Sequence, residues 1–311
     1  MIRFLRSSNL THRLYYSSTT VTRIMKPSES HQPFHLIQDS RPDSRFDDRF
    51  QYTKTPQPDW KPGQGISHAP LPDRQIYSTP GPVKTFVPYQ NISVPDVYRL
   101  MINSIVPRPI ALCSTLSENG KPNLAPFSYF NAVGSNPPTL MVSFTKSPRA
   151  EKDTALNIKS TKEFVVAIIS EPFIEAANYT SIDSPQEVSE WELSGLNPEP
   201  SMKVKPPRVR EASINMECEL EHLYDMFDPS DSTKLTQTFI IGRIKAWHVR
   251  EEILIDGGPS ISIEKLMPMC RLGGISYGRI ISGFELTRPV WKKEVEREEV
   301  KRILSEKKKE I

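Results

Sequence analysis

Apolar and polar residues are unevenly arranged along this chain. Long alternation begins only near Tyr98, and before it isolated aromatics stand in a polar, proline-rich background. From Pro109 to Leu116 small, β-branched and apolar residues predict a strand, Asn119-Gly120 supplies a turn, and Asn123 to Phe130 alternates as the returning strand of a hairpin. Ahead of the hairpin, Pro95 to Ser104 sets Val97, Leu100 and Met101 on one helical face, and Asn103 to Pro107 ends that short helix. Beyond it the pattern predicts a strand over Thr139 to Thr145, a helix over Asp153 to Ser160, a strand over Glu163 to Ser170, and a helix from Pro172 to about Ile182. Ser184 to Arg210 is polar and proline-rich, a long surface loop anchored by Trp191, Leu193 and Leu196. Three more strands follow, Ala212 to Tyr224, Thr236 to Val249 and Ser260 to Met267. Many strands and few, short helices predict a mainly β fold built as a closed or split antiparallel barrel.

The two ends read differently from this core. From His31 to Pro88 the mixture of Pro, Asp, Arg, Ser and Gln, with Phe46, Phe50, Tyr52 and Trp60 scattered through it, has no periodicity of an independent fold. From Val290 onward the chain is mostly Lys, Arg and Glu, with Trp291, Val295, Val300, Ile303 and Leu304 at roughly helical spacing. That is a solvated helix with a narrow stripe for its own domain or for a partner. The first residues, MIRFLRSSNLTHRLYYSSTTVTRIMK, carry arginines and hydroxyl residues with no acid before Glu29, the composition of a mitochondrial presequence. Arg13 to Ser17 loosely resembles a matrix-processing site. The competing readings are a disordered basic tail on a cytoplasmic protein, or translation from upstream of a true start at Met25. The expected organisation is a targeting segment over 1–26, an irregular extension over 27–88, the barrel over 89–285 and a charged helix over 286–311.

Charge and cysteines narrow the function classes. A cut after Arg23 removes four arginines and no acid, which takes the formal charge from +3 to −1 and leaves no electrostatic reason to expect nucleic acid. Cys113, Cys218 and Cys270 are odd in number, without a CxxC pair or a His at metal-ligand spacing, so they read as reduced and buried, with neither disulfide nor metal site. The longest apolar run, Phe164 to Ile169, is far short of a membrane span.

Three segments could carry chemistry. In Ala125-Pro126-Phe127-Ser128-Tyr129-Phe130 small residues let a flat ligand approach the backbone and Ser128 offers a hydroxyl; an ordinary core hairpin with Pro126 at a bulge or edge is the alternative. Lys146 to Thr154 places Lys146, Arg149 and Lys152 just before a helix, which suits a phosphate, or else a capped helix in a basic loop. His248, at a strand end, could relay a proton or serve the structure. Arg271 to Gly278 is glycine-rich but lacks GxGxxG spacing, so it fails as a dinucleotide fingerprint. No Ser-His-Asp, paired-carboxylate or zinc pattern stands out.

Several motifs in a fixed order carry a family resemblance over roughly Phe86 to Phe284. They are Arg108-Pro109-Ile110-Ala111 leading into Ser114-Thr115, Asn123 to Phe130, Lys152-Asp153-Thr154 with Asn157-Ile158, and Glu190-Trp191 with Gly195-Leu196. Pro207-Arg208, Asn215 to Leu220, Gly242 with Trp247-His248-Val249, and Arg271 to Gly274 with Tyr277 follow. In these the chain resembles the flavin reductase-like, FMN-binding split-barrel family. The resemblance implies a homodimeric, Greek-key antiparallel split barrel that binds FMN. It further implies that Ser128, Lys152 and Thr154 hold the phosphate, that Ser114, Thr115, Asn123, Ala125 and Pro126 border the isoalloxazine ring, and that Tyr277 borders the cofactor unless it is simply buried in a tight turn. The lack of a catalytic triad fits a flavoprotein, whose cofactor carries the redox chemistry. The implied activity is hydride transfer from NADH or NADPH to flavin N5. A flavin-holding or partner-binding protein without turnover, and a flavin-dependent oxygenase or reductase of another substrate, are the alternatives.

Overall fold

A computed structural model describes residues 34–45, 49–66, 81–146, 150–185 and 187–307. The expected presequence over 1–26, and Phe46 and Arg149, lie outside the described residues. The chain divides into two compact units, Met1–Asp47, which holds the helix Phe34–Asp39, and Asp48–Ile311, which holds everything described below.

The strands of the second unit are β1 (Gln51–Tyr52), β2 (Arg108–Pro109), β3 (Ala111–Leu116), β4 (Pro122–Phe127), β5 (Phe130–Ser135), β6 (Pro138–Thr145) and β7 (Glu163–Ile168). They continue with β8 (Pro198–Glu199), β9 (Arg208–Val209), β10 (Ile214–Asp228), β11 (Asp231–Val249), β12 (Met269–Arg271), β13 (Tyr277–Arg279) and β14 (Ser282–Gly283). Seven form one antiparallel sheet in the order β4-β3-β7-β10-β11-β6-β5. Its two edges, β4 and β5, are consecutive in the chain with only Ser128 and Tyr129 between them. A connection that short spans at most ~11 Å, so the sheet must curl until its edges meet. They meet without a backbone ladder between them. The expected split barrel is therefore what the topology requires.

Several elements depart from the sequence expectations. The stretch Pro109 to Leu116 breaks at Ile110, with β2 pairing to β12 in a separate three-stranded sheet. Asn123 to Phe130 is not one strand: β4 ends at Phe127 and β5 begins the opposite edge. Ser260 to Met267 is not a strand, because Ser262 caps the short helix Ile263–Leu266 by accepting from the Lys265 N–H and Met267 ends it at a positive φ of 47°. The helix expected from Pro172 is a 3₁₀ turn, Glu171–Phe173, followed by Ile174–Tyr179. Within the long loop, Glu190–Ser194 is helical and β8 pairs with β9; Trp191 and Leu196 anchor it, whereas Leu193 is exposed. In the helix Val94–Ser104 the buried residue is Ile102, while Leu100 and Met101 face outward.

Two cores flank the sheet. Inside the barrel Ala111, Cys113, Val142, Phe144, Phe164, Cys218 and Ile240 close on Ala155 and Ile158 of the helix Asp153–Thr161. On the other face Leu112, Leu124, Ala167, Ile169 and Val209 pack against Phe173, Ala177 and Trp191. Burial pushes the Cys113 and Cys218 thiols up, away from reactivity. The ends join the same unit: β1 pairs with β14, Lys61 bonds Glu299 at 2.9 Å, and Ile303 of the helix Glu298–Lys307 lies over Gly63. The single charged helix expected over 286–311 is instead two, Trp291–Glu294 and Glu298–Lys307, and Trp291 and Leu304 of the expected docking stripe are exposed. Among the described residues no helix is long and apolar enough to cross a membrane.

Gly242 has a packing reason. A Cβ there would stand 2.3 Å from Phe164 Cζ, an aromatic atom locked in the barrel interior. Gly242→Ala is expected to cost about 1–3 kcal/mol through overpacking, read as a lower melting temperature; an unchanged melting temperature would mean that Phe164 can move aside.

Candidate functional site

The open edge of β4 is shaped by its prolines. Leu124 turns its N–H away from β3 to Glu190 Oε2 at 3.4 Å, so the alternate positions Pro122 and Pro126 also face outward, where a missing N–H costs no ladder bond. Glu190 is held in turn by the Ser184 hydroxyl at 3.2 Å. The edge thus offers backbone carbonyls while its one N–H is already engaged. Such an edge resists pairing with another strand and leaves acceptors for a ligand that brings its own donors.

One end of the edge is a buried polar cluster. Asn123 donates through Nδ2 to Thr154 Oγ1 at 2.9 Å and to Thr115 Oγ1 at 3.3 Å, and Asn157 donates to the same Thr115 oxygen at 3.0 Å. Thr115 and Thr154 are almost wholly buried, so they stand behind Asn123 and fix its amide. Beside them Lys152 occupies the N-cap of Asp153–Thr161 with no side-chain cap, leaving the first N–H groups of a nine-residue helix uncapped next to an exposed ammonium. This end can receive an anion.

The other end holds Ser128. Its hydroxyl accepts from Arg108 Nε at 3.4 Å, and Arg108 reaches the carbonyls of Ile102, Ile105 and Leu272 at 2.6, 2.7 and 3.0 Å. Arg108 is 6 % exposed, and no carboxylate pairs with it among the described residues. Burial raises the pKa of the adjacent Tyr129 hydroxyl, with the Tyr98 phenol adding to the rise and Arg108 opposing it. Asn123 and Ser128 are five residues apart, about 16 Å along an extended chain.

The structure sorts the remaining candidates. Ala125 and Pro126 lie on the partly exposed edge itself. Ser114 points to the opposite face from Thr115, and its Oγ is buried without a hydrogen-bond partner. Tyr277 is not drawn into the Asn123 cluster; its hydroxyl donates to Asn178 Oδ1 at 2.7 Å and Arg271 lies 4.4 Å over its ring. His248 is engaged elsewhere, its Nε2 2.6 Å from Glu217 Oε1. Two contributors were not picked out as site residues from the sequence. Arg108 has the signal of a lone cation in an apolar run, whereas Glu190 has no local signal because its role depends on a loop reaching Leu124.

The donor set fits a flavin nucleotide: carbonyls along the edge for ring and ribityl donors, an uncapped helix end and Lys152 for a phosphate, and a buried guanidinium at the far end. Comparison with known proteins agrees. Residues 103–258 match the model of the flavin reductase like domain. Nitrilotriacetate monooxygenase component B from Bacillus cereus is 35 % identical, with TM-score 0.62 over 66 % of this chain and 100 % of that one. The 2-nitrobenzoate 2-nitroreductase of Pseudomonas fluorescens is 30 % identical, with TM-score 0.58 over 67 % and 98 %. A putative flavin reductase with a split barrel domain from Shewanella frigidimarina, 22 % identical with TM-score 0.53 over 64 % and 93 %, shares the fold. An edge strand stripped of donors, an uncapped helix end beside it and a matched domain over half the chain lead to one assignment: this chain belongs to the flavin reductase-like family and is a flavin-related oxidoreductase of split-barrel fold.

Proposed function

We propose that this protein binds FMN along β4 and acts as an NAD(P)H-dependent flavin reductase. The observation that carries the reading is the β4 edge, whose outward prolines and engaged Leu124 N–H leave acceptors in line with the uncapped helix end at Lys152. FMN, when bound, supplies the two-electron chemistry that takes hydride from a reduced nicotinamide. The chain's own residues bind and orient. Lys152 and the N–H groups after it hold the phosphate and Asn123 is kept in place by Thr115 and Thr154, whereas Ser128, expected beside them at the phosphate, stands at the other end of β4, where Arg108 fixes it. Two neighbours named as a monooxygenase component and a nitroreductase support oxidoreductase chemistry. A homodimer belongs to the same proposal, supported by the exposed Tyr98, Leu100, Met101 and Ile105 and by the exposed edge strand β5.

If the phosphate sits at Lys152, the protein binds FMN more tightly than riboflavin, and Lys152→Glu narrows that preference about tenfold, ~1.4 kcal/mol. Flavin fluorescence quenching on titration reads both affinities. An FMN preference untouched by Lys152→Glu places the phosphate elsewhere.

A further inference from the structure

A second polar site lies on the other side of the sheet. Asn215 and Glu217 of β10 alternate with Met216 and Cys218, which belong to the barrel interior with Cys113; the first pair therefore faces outward, opposite the Thr115 side of β3. Over Asn215 opens a cleft of about 370 Å³, within the range of ligand pockets. Its ionisable lining is Arg208, Arg210, Arg250, Glu199 and His248, with the buried Glu217 carboxylate against His248.

The cations are held together and in place. Arg208 and Arg210 share one carboxylate, with Arg208 Nη2 3.5 Å and Arg210 Nε 3.3 Å from Glu199. Arg208 also donates to the Pro200 carbonyl at 3.0 Å, and Arg250 Nη2 donates to the Arg210 carbonyl at 2.5 Å. Glu199 and the Glu217 carboxylate behind His248 are two acids against three guanidiniums, and Arg250 adds no ion pair of its own among the described residues. The frame beneath is rigid. Buried Asn215 accepts from the Val209 N–H at 2.9 Å and donates to the Val209 carbonyl at 3.0 Å, pinning the strand between Arg208 and Arg210. Buried Glu217 accepts from the N–H groups of Met202 and Val204 at 2.8 and 3.2 Å and contacts His248 at 2.6 Å, holding that lining residue from behind. Trp247, half-exposed, gives the rim an aromatic face. Convergent planar guanidiniums on a preorganised frame match the oxygens of a dianionic phosphate, and an indole beside them suits a base.

We propose that this cleft is a binding site for a phosphate dianion, separate from the β4 edge, with Arg208, Arg210 and Arg250 as its ligands. The phosphate is either free or carried on a nucleoside monophosphate. Isothermal titration of the full-length protein with inorganic phosphate, with adenosine 5′-monophosphate and with adenosine distinguishes these sources. Both phosphates binding alike indicates free phosphate; tighter monophosphate binding, reduced by Trp247→Ala, indicates a nucleotide; adenosine alone does not bind. The double variant Arg210→Ala/Arg250→Ala, whose side chains are exposed and whose melting temperature serves as the folding control, is expected to weaken phosphate binding at least tenfold while leaving FMN titration unchanged. No binding of either phosphate, or equal binding by the double variant, overturns the proposal. Loss of FMN binding together with phosphate binding in that variant would also overturn it, since the two sites would then be one.

Discussion

Glu217→Ala is expected to destabilise the protein by about 3–5 kcal/mol, the range for breaking a buried charged hydrogen-bond network by removing one partner. Glu217 is wholly buried and receives three consecutive backbone N–H groups, from Met202, Lys203 and Val204, as well as His248. Without it the buried Val204 N–H is left unpaired, and the Met202 and Lys203 N–H groups and His248 lose their shared acceptor. Glu217→Gln keeps one acceptor and is expected to lose less. Burial pushes the Glu217 carboxyl up, but the Met202 and Lys203 N–H groups and His248 outweigh it and hold the pKa below the ordinary 4.5. The sign follows from that direction. The carboxylate's contribution is complete above the unfolded value and is lost as pH falls below 4.5 through the lowered folded value. Denaturant titrations at pH 7 and at successively lower pH should therefore show the gap between wild type and Glu217→Gln closing on acidification; a gap constant with pH would show that charge at Glu217 is not what holds the loop.

The second large loss is expected for Arg108→Ala, about 3–5 kcal/mol, because three carbonyls and the Ser128 hydroxyl share this one buried guanidinium. The contact joins the C-terminal turn of Val94–Ser104, the β4 end and the Leu272 turn, so its removal unties three parts of the site at once. Arg108→Lys should restore little, since one ammonium has no planar fork to reach the same acceptors. Full recovery with Lys, measured by denaturant unfolding, would mean that charge alone suffices there.

What was legible in the sequence was what local pattern determines. The barrel strands β3, β6, β7, β10 and β11, the Asn119-Gly120 turn and the helix after Lys152 follow from alternation and turn chemistry, and the structure has Gly120 at φ 77° as such a turn requires. The ordered motifs brought out the family. The split of Asn123 to Phe130 into two edges was not legible, because Ser128-Tyr129 interrupts no periodicity and the break becomes necessary only when the sheet curls. Ser260 to Met267 misled for a similar reason: Ile261, Ile263 and Leu266 fit either period, and the Ser262 cap decides between them. At the site, the position of Lys152 at a helix start was readable. The burial of Thr115 and Thr154 behind Asn123 was not, since it depends on a helix docking over β3, and neither was the arginine cleft, assembled from β9 and the end of β11.

Flavin binding and reduction are tested most directly by an absorbance spectrum of the purified protein after addition of FMN, followed anaerobically by NADH and then NADPH. The expected result is a bound-flavin band that bleaches with one of the two nucleotides faster than free FMN does. A folded protein whose addition leaves the FMN spectrum unchanged would contradict flavin binding at the β4 edge, and a bound flavin that neither nucleotide bleaches would contradict the reductase.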